Sequence, residues 1–373
     1  MNPFILEPYK SKDLFCDREQ ETRLVMDYLD NGRNITLISP RRLGKTGLIY
    51  RIFDEYKDLR NDVETLYMDI SSTRNVEDFI KILSESVTSA LKKQNKVESF
   101  FKTLGGLRPL VSYDIVTGKP EITLTYRNEQ DRDQTLKGIF QYLENQPKRI
   151  ILAIDEFQQI REYEESNMEA LLRTYIQPLH NVRFIFCGSK NHTMTDIFSN
   201  AKKPFYESTT FVSLGKLNVA TYAKFITRLF NEGGKQIGPA EVQQIIEWTR
   251  DHTFYTQALC NEVYLRGQQN ISMDDVLEAE GKILSANRDR FLELQRLLTA
   301  AQWKLLKAIA LEGSIQHPTS TAFIHKYKLG SGAAVSKSIK SLVEKELLLI
   351  ENIDGQDHYF VYNVFFSRYL ERN

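Results

Sequence analysis

Cysteine is scarce in this chain of 373 residues, which carries only Cys16, Cys187 and Cys260, far apart and with no Cys-x-x-Cys pair. That spacing excludes a disulfide framework and a cysteine-built zinc site, and it fits a reducing compartment. Net charge is missing as well. Lys and Arg number 49, and so do Asp and Glu, which argues against a protein devoted to coating nucleic acid but not against a local basic patch. No apolar run approaches the ~18 residues of a membrane-spanning helix. The opening MNPFILEPYKSKDLF lacks a basic start followed by an apolar stretch, so no secretory leader is expected and the cytoplasm is the expected location. Internal repeats and low-complexity tracts are absent too. What remains is 42% hydrophobic and 26% charged, a globular composition, and the length calls for two or three domains.

Short apolar runs alternate with helical stretches through the first two hundred residues. ITLIS (35–39), VETLYMDI (63–70), RIILAI (149–154), RFIFC (183–187) and TFVSL (210–214) read as strands, with helices over 45–56 and 76–91. This rhythm predicts a parallel sheet covered on both faces. Residues 110–115 and 121–126 break it, reading as two strands joined by Thr117-Gly118-Lys119-Pro120. They form a hairpin insertion spanning about 104–127, either decorative or a contact surface for a protein partner or another copy.

Ser39-Pro40-Arg41-Arg42-Leu43-Gly44-Lys45-Thr46 fits the phosphate-loop pattern GxxxxGK[ST], with serine in place of the first glycine. The chemistry dictates the pattern. Gly44 lets backbone N–H groups close around phosphates, and the helix beginning at Lys45-Thr46-Gly47 points its positive end at them. Lys45 reaches the β- and γ-phosphates, and the Thr46 hydroxyl suits Mg²⁺. An apolar strand before and a helix after supply the context that a chance GKT lacks. Asp155 and Glu156 directly follow the RIILAI strand. Asp155 is the expected second metal residue, and Glu156 the group that orients or activates water. Ser189 follows the next strand and falls at the same sheet edge, where it is a candidate contact for the γ-phosphate or the water.

These residues resemble the archaeal-type ATPases of the STAND group, P-loop ATPases related to AAA+ proteins, over nearly the whole chain. The resemblance implies ATP or ADP with Mg²⁺ as ligands. It also implies that the stretch FCDREQE (15–21) lies beside the adenine, which puts Asp17, Arg18 and Glu19 near the base. His252, in DHTFY (251–255), falls where the family carries a GxP-type lid motif, but glycine and proline are both missing. The family's PLYGR segment corresponds to Pro204-Phe205-Tyr206-Glu207-Ser208, which has no arginine. Arg173 and Arg183 are the candidate replacements.

The strands stop after Leu217 in this reading. Helices over 222–230, 240–249 and 255–266 suggest a small lid, and helices over 300–312, 319–327 and 333–346 followed by strands 347–351 and 358–362 around Asp354-Gly355 have the layout of a winged helix. The expected architecture is an α/β, three-layer P-loop NTPase core of the AAA+-like kind at 1–216, a helical lid at 217–287 and a winged-helix domain at 288–373. In the third helix, Val335, Ile339, Leu342 and Val343 are expected to be buried, and Lys337 and Lys340 to face outward. Glu344 is spaced to pair with Lys340. Residues 301–373 hold nine Lys and Arg against seven Asp and Glu, a net of +2, and the wing carries Asp354 and Asp357. That is a weak footprint for DNA. The expected function is a nucleotide-dependent switch with slow ATP hydrolysis. The alternative is a DNA-acting ATPase resembling origin-recognition or transposition ATPases.

Overall fold

The computed structural model describes residues 2–92, 100–101, 110–113, 120–123, 129–165, 167–189, 191–266 and 269–372. The chain divides into two compact units, Glu7–Lys216 and Met1–Leu6 with Leu217–Asn373.

In the first unit, strands β1 (Ile35–Ile38), β2 (Val63–Asp69), β5 (Arg149–Asp155), β6 (Val182–Gly188) and β7 (Thr210–Ser213) form one sheet in the order β2-β5-β6-β1-β7. Every pairing in it is parallel. Helices α1 (Glu19–Asp30) and α2 (Lys45–Leu59) cover one face, and α3 (Val76–Lys92), α4 (Glu129–Glu144), α5 (Met168–Ile176) and α6 (Asn191–Ser199) the other. The two-residue period of a strand sorts the core. Ile150, Leu152 and Ile154 of β5 enter the α3–α6 side, whereas Ile151 and Ala153 enter the α1–α2 side. Strand β6 divides likewise, with Phe184 and Phe186 on the first side and Ile185 and Cys187 on the second. Both strands are therefore buried on both faces, which is why they read as continuous apolar runs. Strands β3 (Leu110–Tyr113) and β4 (Pro120–Thr123) pair antiparallel as the expected hairpin. The rest of that reading, including the Thr117–Pro120 turn up to Lys119, lies outside the described residues.

In the second unit, α7 (Val219–Glu232), α8 (Pro239–Trp248), α9 (Thr253–Leu265) and α10 (Met273–Ala286) form a helical group. Two two-residue strands, β8 (Gln236–Ile237) and β9 (Asn270–Ile271), pair in parallel within it. This corrects the expectation that strands stop after Leu217; two residues are too few to show a period. Residues near the start of the chain join this unit. Asn2 Nδ2 donates to the Asn261 carbonyl, Asn261 Nδ2 donates to that of Phe4, and the Phe4 ring is buried against Phe230. Helices α11 (Arg288–Arg296), α12 (Ala300–Glu312), α13 (Thr321–Tyr327) and α14 (Gly332–Glu344) precede the hairpin of β10 (Leu348–Ile353) and β11 (Gln356–Val361). Asp354 and Gly355 both take positive φ, 52° and 82°, the backbone of a two-residue hairpin turn. A further helix, α15 (Val364–Arg372), was not expected. It buries Phe365, Phe366, Tyr369 and Leu370.

Phe157, Phe186, Phe198 and Phe205 pack as a cluster of rings whose centroids lie 4.5–5.7 Å apart, each nearly or fully buried. Phe157 directly follows Glu156, so this cluster anchors the chain leaving β5. Phe186→Ala removes the ring shared by the others and is expected to cost ~3–5 kcal/mol of stability. Urea unfolding followed by circular dichroism measures it; a loss below about 1 kcal/mol would show that the cluster is not a packing centre.

Candidate nucleotide site

The site forms at the carboxyl ends of β1, β5 and β6, which parallel pairing brings to one edge of the sheet. From β1 the chain enters the loop Ser39–Gly44 and then α2. Gly44 has φ 96° and caps that helix, with nothing within 4 Å of the position a Cβ would take. Its left-handed backbone is what calls for glycine. Arg42 is left-handed too, at 67°, whereas Ser39 is not. Serine at the first loop position therefore carries no left-handed strain. It is buried, and its Oγ donates to the Pro40 carbonyl at 3.0 Å. Leu43 is buried beneath the loop, Lys45 is nearly so, and Arg41 and Arg42 are exposed.

Thr46 Oγ1 donates to Asp155 Oδ2 at 2.8 Å, joining the start of α2 to the end of β5. Asp155 is 4% exposed and takes a second bond at the same oxygen from Tyr67 Oη, 3.0 Å away. Burial first, and the Asp155 charge second, push the Tyr67 phenol well above its ordinary pKa, so it stays a proton donor. Asp69, in register with Asp155 on the neighbouring strand, adds another carboxylate at this edge. Thr46 and Asp155 offer only hard oxygen donors, a set that suits Mg²⁺. Among the described residues no group of three or more His, Cys, Asp or Glu is placed to hold a metal, so phosphate and water oxygens would have to complete the shell.

Glu156 takes a left-handed backbone, φ 54°, at the end of β5. Its Oε2 accepts from Ser189 Oγ at 3.0 Å and from Gln158 Nε2. Ser189 Oγ in turn accepts from Arg41 Nε of the phosphate loop at 3.3 Å. The structure thus gathers Lys45, Thr46, Asp155, Glu156, Ser189 and the whole of Ser39–Gly47 at one edge. Cys187, under this edge, is fully buried, which pushes its thiol pKa up and makes it an inert core residue.

The segment before α1 lies on the first turn of α2. A Cβ on Gly47 would stand 2.5 Å from the Pro8 carbonyl oxygen and 2.7 Å from the Phe15 ring, so that position tolerates only glycine. Asp17 and Arg18 are both left-handed. The guanidinium of Arg18 is buried and committed to Glu21 and to the Gly215 carbonyl, each at 2.6 Å. Its visible work is to tie α1 to the segment after β7. Glu19 is exposed at the start of α1. His252 belongs to the second unit, where it stands at the N-cap position of α9 without a side-chain capping bond, its ring 4.8 Å from that of Tyr255.

Arg183, one of the two candidate replacement arginines, does not reach this edge. It is the second residue of β6, and its Nη1 donates to the carbonyls of Leu179 and Val182. Five residues separate it from the carboxyl end of that strand, roughly 17 Å, so it sits at the opposite edge of the sheet. Arg173 lies in the last turn of α5. In the segment 204–208, Phe205 is a core residue of the ring cluster. Sequence reading missed Tyr67, Asp69 and Gln158. The register of β2 against β5 would have found the first two had the strand pairing been known.

A doubly covered parallel sheet with this loop and these carboxylates defines a P-loop nucleotide-binding ATPase. A family model described as "ATPase domain predominantly from Archaea" matches residues 15–251, and one described as "Probable winged helix domain" matches residues 289–372. The chain belongs to this archaeal-type ATPase family and carries a winged-helix domain after its ATPase domain. No curated protein matches it. Among solved structures, a Walker-type ATPase of Pyrococcus abyssi is similar over 99% of each chain, at 20% identity and a TM-score of 0.69. The ORC2 protein of Aeropyrum pernix, in ADPNP–ADP complexes, is similar over 100% of this chain and 96% of its own, at 14% identity and a TM-score of 0.59. The ORC1 protein of the same organism, in complex with DNA, covers the same shares at 14% identity and a TM-score of 0.53. These likenesses are of fold.

Lys45→Ala removes the lysine expected to meet the β- and γ-phosphates. ATP affinity is expected to fall by about tenfold or more. Calorimetry on the folded variant checks it, and unchanged affinity would show that the loop does not hold the nucleotide.

Proposed function

We propose that this ATPase is a nucleotide-dependent switch that binds ATP·Mg²⁺ and hydrolyses it slowly. The observation that carries this reading is the Arg41–Ser189–Glu156 chain of hydrogen bonds beside the Thr46–Asp155 pair, which links the phosphate loop to the water-activating carboxylate. Lys45 neutralises phosphate charge. Thr46 and Asp155 would hold Mg²⁺, which supplies charge neutralisation when bound. Water attacks the γ-phosphorus, the bond to the bridging oxygen breaks, ADP leaves, and the water proton passes to Glu156. Slow turnover follows from the missing arginine, since such a charge is worth ~10³–10⁵ in rate. Asp17, Arg18 and Glu19 are proposed to lie on the base side and His252 to belong to the lid, with the core at 1–216 apart from residues 2–6, which pack in the second unit, the lid at 217–287 and the winged helix at 288–373.

The reading of the winged helix as an output element rests on its anchoring within the second unit. From α15, Arg368 donates to the Glu247 and Trp248 carbonyls at the end of α8, and Arg372 pairs with the buried Glu280 of α10 at 3.1 Å. Arg250 reaches back to Ser367 and Glu371. A movement of these lid helices would be passed to α15 of the winged-helix domain.

A second reading, action on DNA, draws on one observation. Lys337 and Lys340 are exposed on α14, and among the described residues no ion pair joins Lys340 to Glu344, contrary to the expectation from their spacing. The fold likeness to ORC1, a protein solved with DNA, points the same way. The acidic wing and the small net charge oppose it.

Glu156→Gln keeps the shape of the side chain but cannot take a proton. ATP should still bind while turnover falls by ~10²-fold or more; a rate within twofold of the parent would remove Glu156 from the chemistry. For the output, Lys337→Glu with Lys340→Glu is expected to leave weak duplex-DNA association unchanged. Tight parental binding at physiological salt that this pair abolishes, with the salt slope flattening by about two, would establish the DNA reading instead.

A further inference from the structure

Gln158 lies two residues beyond Glu156, in the 3₁₀ turn Phe157–Glu162, and is 5% exposed. Its Nε2 donates to Glu156 Oε2, the oxygen that also accepts from Ser189 Oγ. Two donors on one oxygen hold that end of the carboxylate in place. Among the described residues the other oxygen, Oε1, receives no hydrogen bond, which leaves it to meet the water. The opposite end of the carboxamide is set just as tightly. Gln158 Oε1 is buried without a hydrogen-bond partner and rests against the bare Cα of Gly188, where a Cβ would stand 2.4 Å from it. An unsatisfied buried acceptor costs free energy, so the amide is not here for stability alone. A rotated amide would turn its carbonyl oxygen toward the carboxylate, oxygen against oxygen, so the donor must face Glu156. Gly188 also carries the chain into Ser189, so a single backbone position makes the slot for the amide and presents the second donor.

We propose that Gln158 is a positioning residue for hydrolysis: its carboxamide, slotted against Gly188, holds the Glu156 carboxylate with one oxygen turned to the attacking water. This rests on the proposed role of Glu156 in activating water. Among the described residues Gln158 has no hydrogen bond to the phosphate loop or to Thr46 or Asp155, so it acts on rate and not on nucleotide binding.

The test is steady-state ATP hydrolysis, ATP affinity and thermal melting for Gln158→Met, which keeps the side chain's length without a donor, and for Gln158→Glu, which keeps its shape and sets like charges together. Gln158→Leu is the further variant if Gln158→Met does not fold. The expected result for Gln158→Met is a kcat ~10–100-fold below the parent, with KM and ATP affinity within about twofold and the melting midpoint little changed; Gln158→Glu is expected to lose kcat with ATP affinity kept, and to melt lower because it buries a second carboxylate beside Glu156. Parental kcat in Gln158→Met would overturn the proposal. So would kcat, affinity and melting midpoint falling together, which is the signature of a packing role. Glu156→Gln, run alongside, separates the two failures. If it impairs turnover and Gln158→Met does not, only the role of Gln158 falls; if it leaves turnover at the parental value, the proposed role of Glu156 falls and this inference with it.

Discussion

The hydrogen bond from Thr46 to Asp155 joins two pieces of chain separated by more than a hundred residues, and the rest of the site takes its positions from it. It can form only because β1 and β5 run in the same direction in one sheet with β6 between them. That arrangement in turn requires β5 and β6 to be buried on both faces. Each strand sends alternate side chains into two separate cores, so a slip of one residue would exchange them and drag Asp155 and Glu156 out of register. Packing on the two faces thus sets the geometry of the carboxylates. The ring cluster of Phe157, Phe186, Phe198 and Phe205 holds the exit of β5, and Glu156 turns outward through a backbone conformation uncommon for any residue with a side chain.

Carboxylates at this edge are surrounded by donors placed with economy. Asp155 has Thr46 and Tyr67, and Glu156 has Ser189 and Gln158. Charge-assisted hydrogen bonds of this kind are stronger than neutral ones and hold their groups in place before any ligand arrives. Two arginines near the site motifs have guanidinium groups committed to structural bonds. Arg18 is buried and spent on Glu21 and the Gly215 carbonyl, and Arg183 satisfies carbonyls at the far end of β6. In the second unit the charges on and after α8 and on α10 serve α15. Burial, then the charge of Arg368, lowers the pKa of Arg250, and burial raises that of Glu280, which accepts from Gln244 and Arg372.

The legible parts of the fold were those with strong periods. Strands β1, β2, β5, β6 and β7, helices α2 and α3 and the Asp354-Gly355 hairpin all fall within a residue or two of where the pattern put them, apart from α2, which runs three residues further. Strands β8 and β9 were illegible because two residues carry no pattern. Helix α15 was missed although VFFSRYLER is amphipathic, being short and lying beyond the last element a winged helix needs. On α14 the expected buried face was too wide: Val335 and Leu342 are buried, but Ile339 and Val343 are only half covered. Tyr67 and Gln158 gave no signal, since one is an ordinary strand residue and the other an ordinary polar residue in a turn.

By itself the sequence determined the class of protein and the chemistry of the phosphate loop, because GKT after an apolar strand and an Asp-Glu pair after another are local patterns with local causes. The backbone needs glycine at Gly44, and phosphates need N–H groups and a lysine, whatever the rest of the chain does. Only the tertiary structure decided which side chains surround those motifs. Tyr67 reaches Asp155 through strand register, Gln158 reaches Glu156 through a turn that Gly188 makes room for, and Arg183 is sent to the wrong edge by the direction of β6. Pairing and packing bring together residues distant in sequence, and no spacing along the chain encodes those meetings.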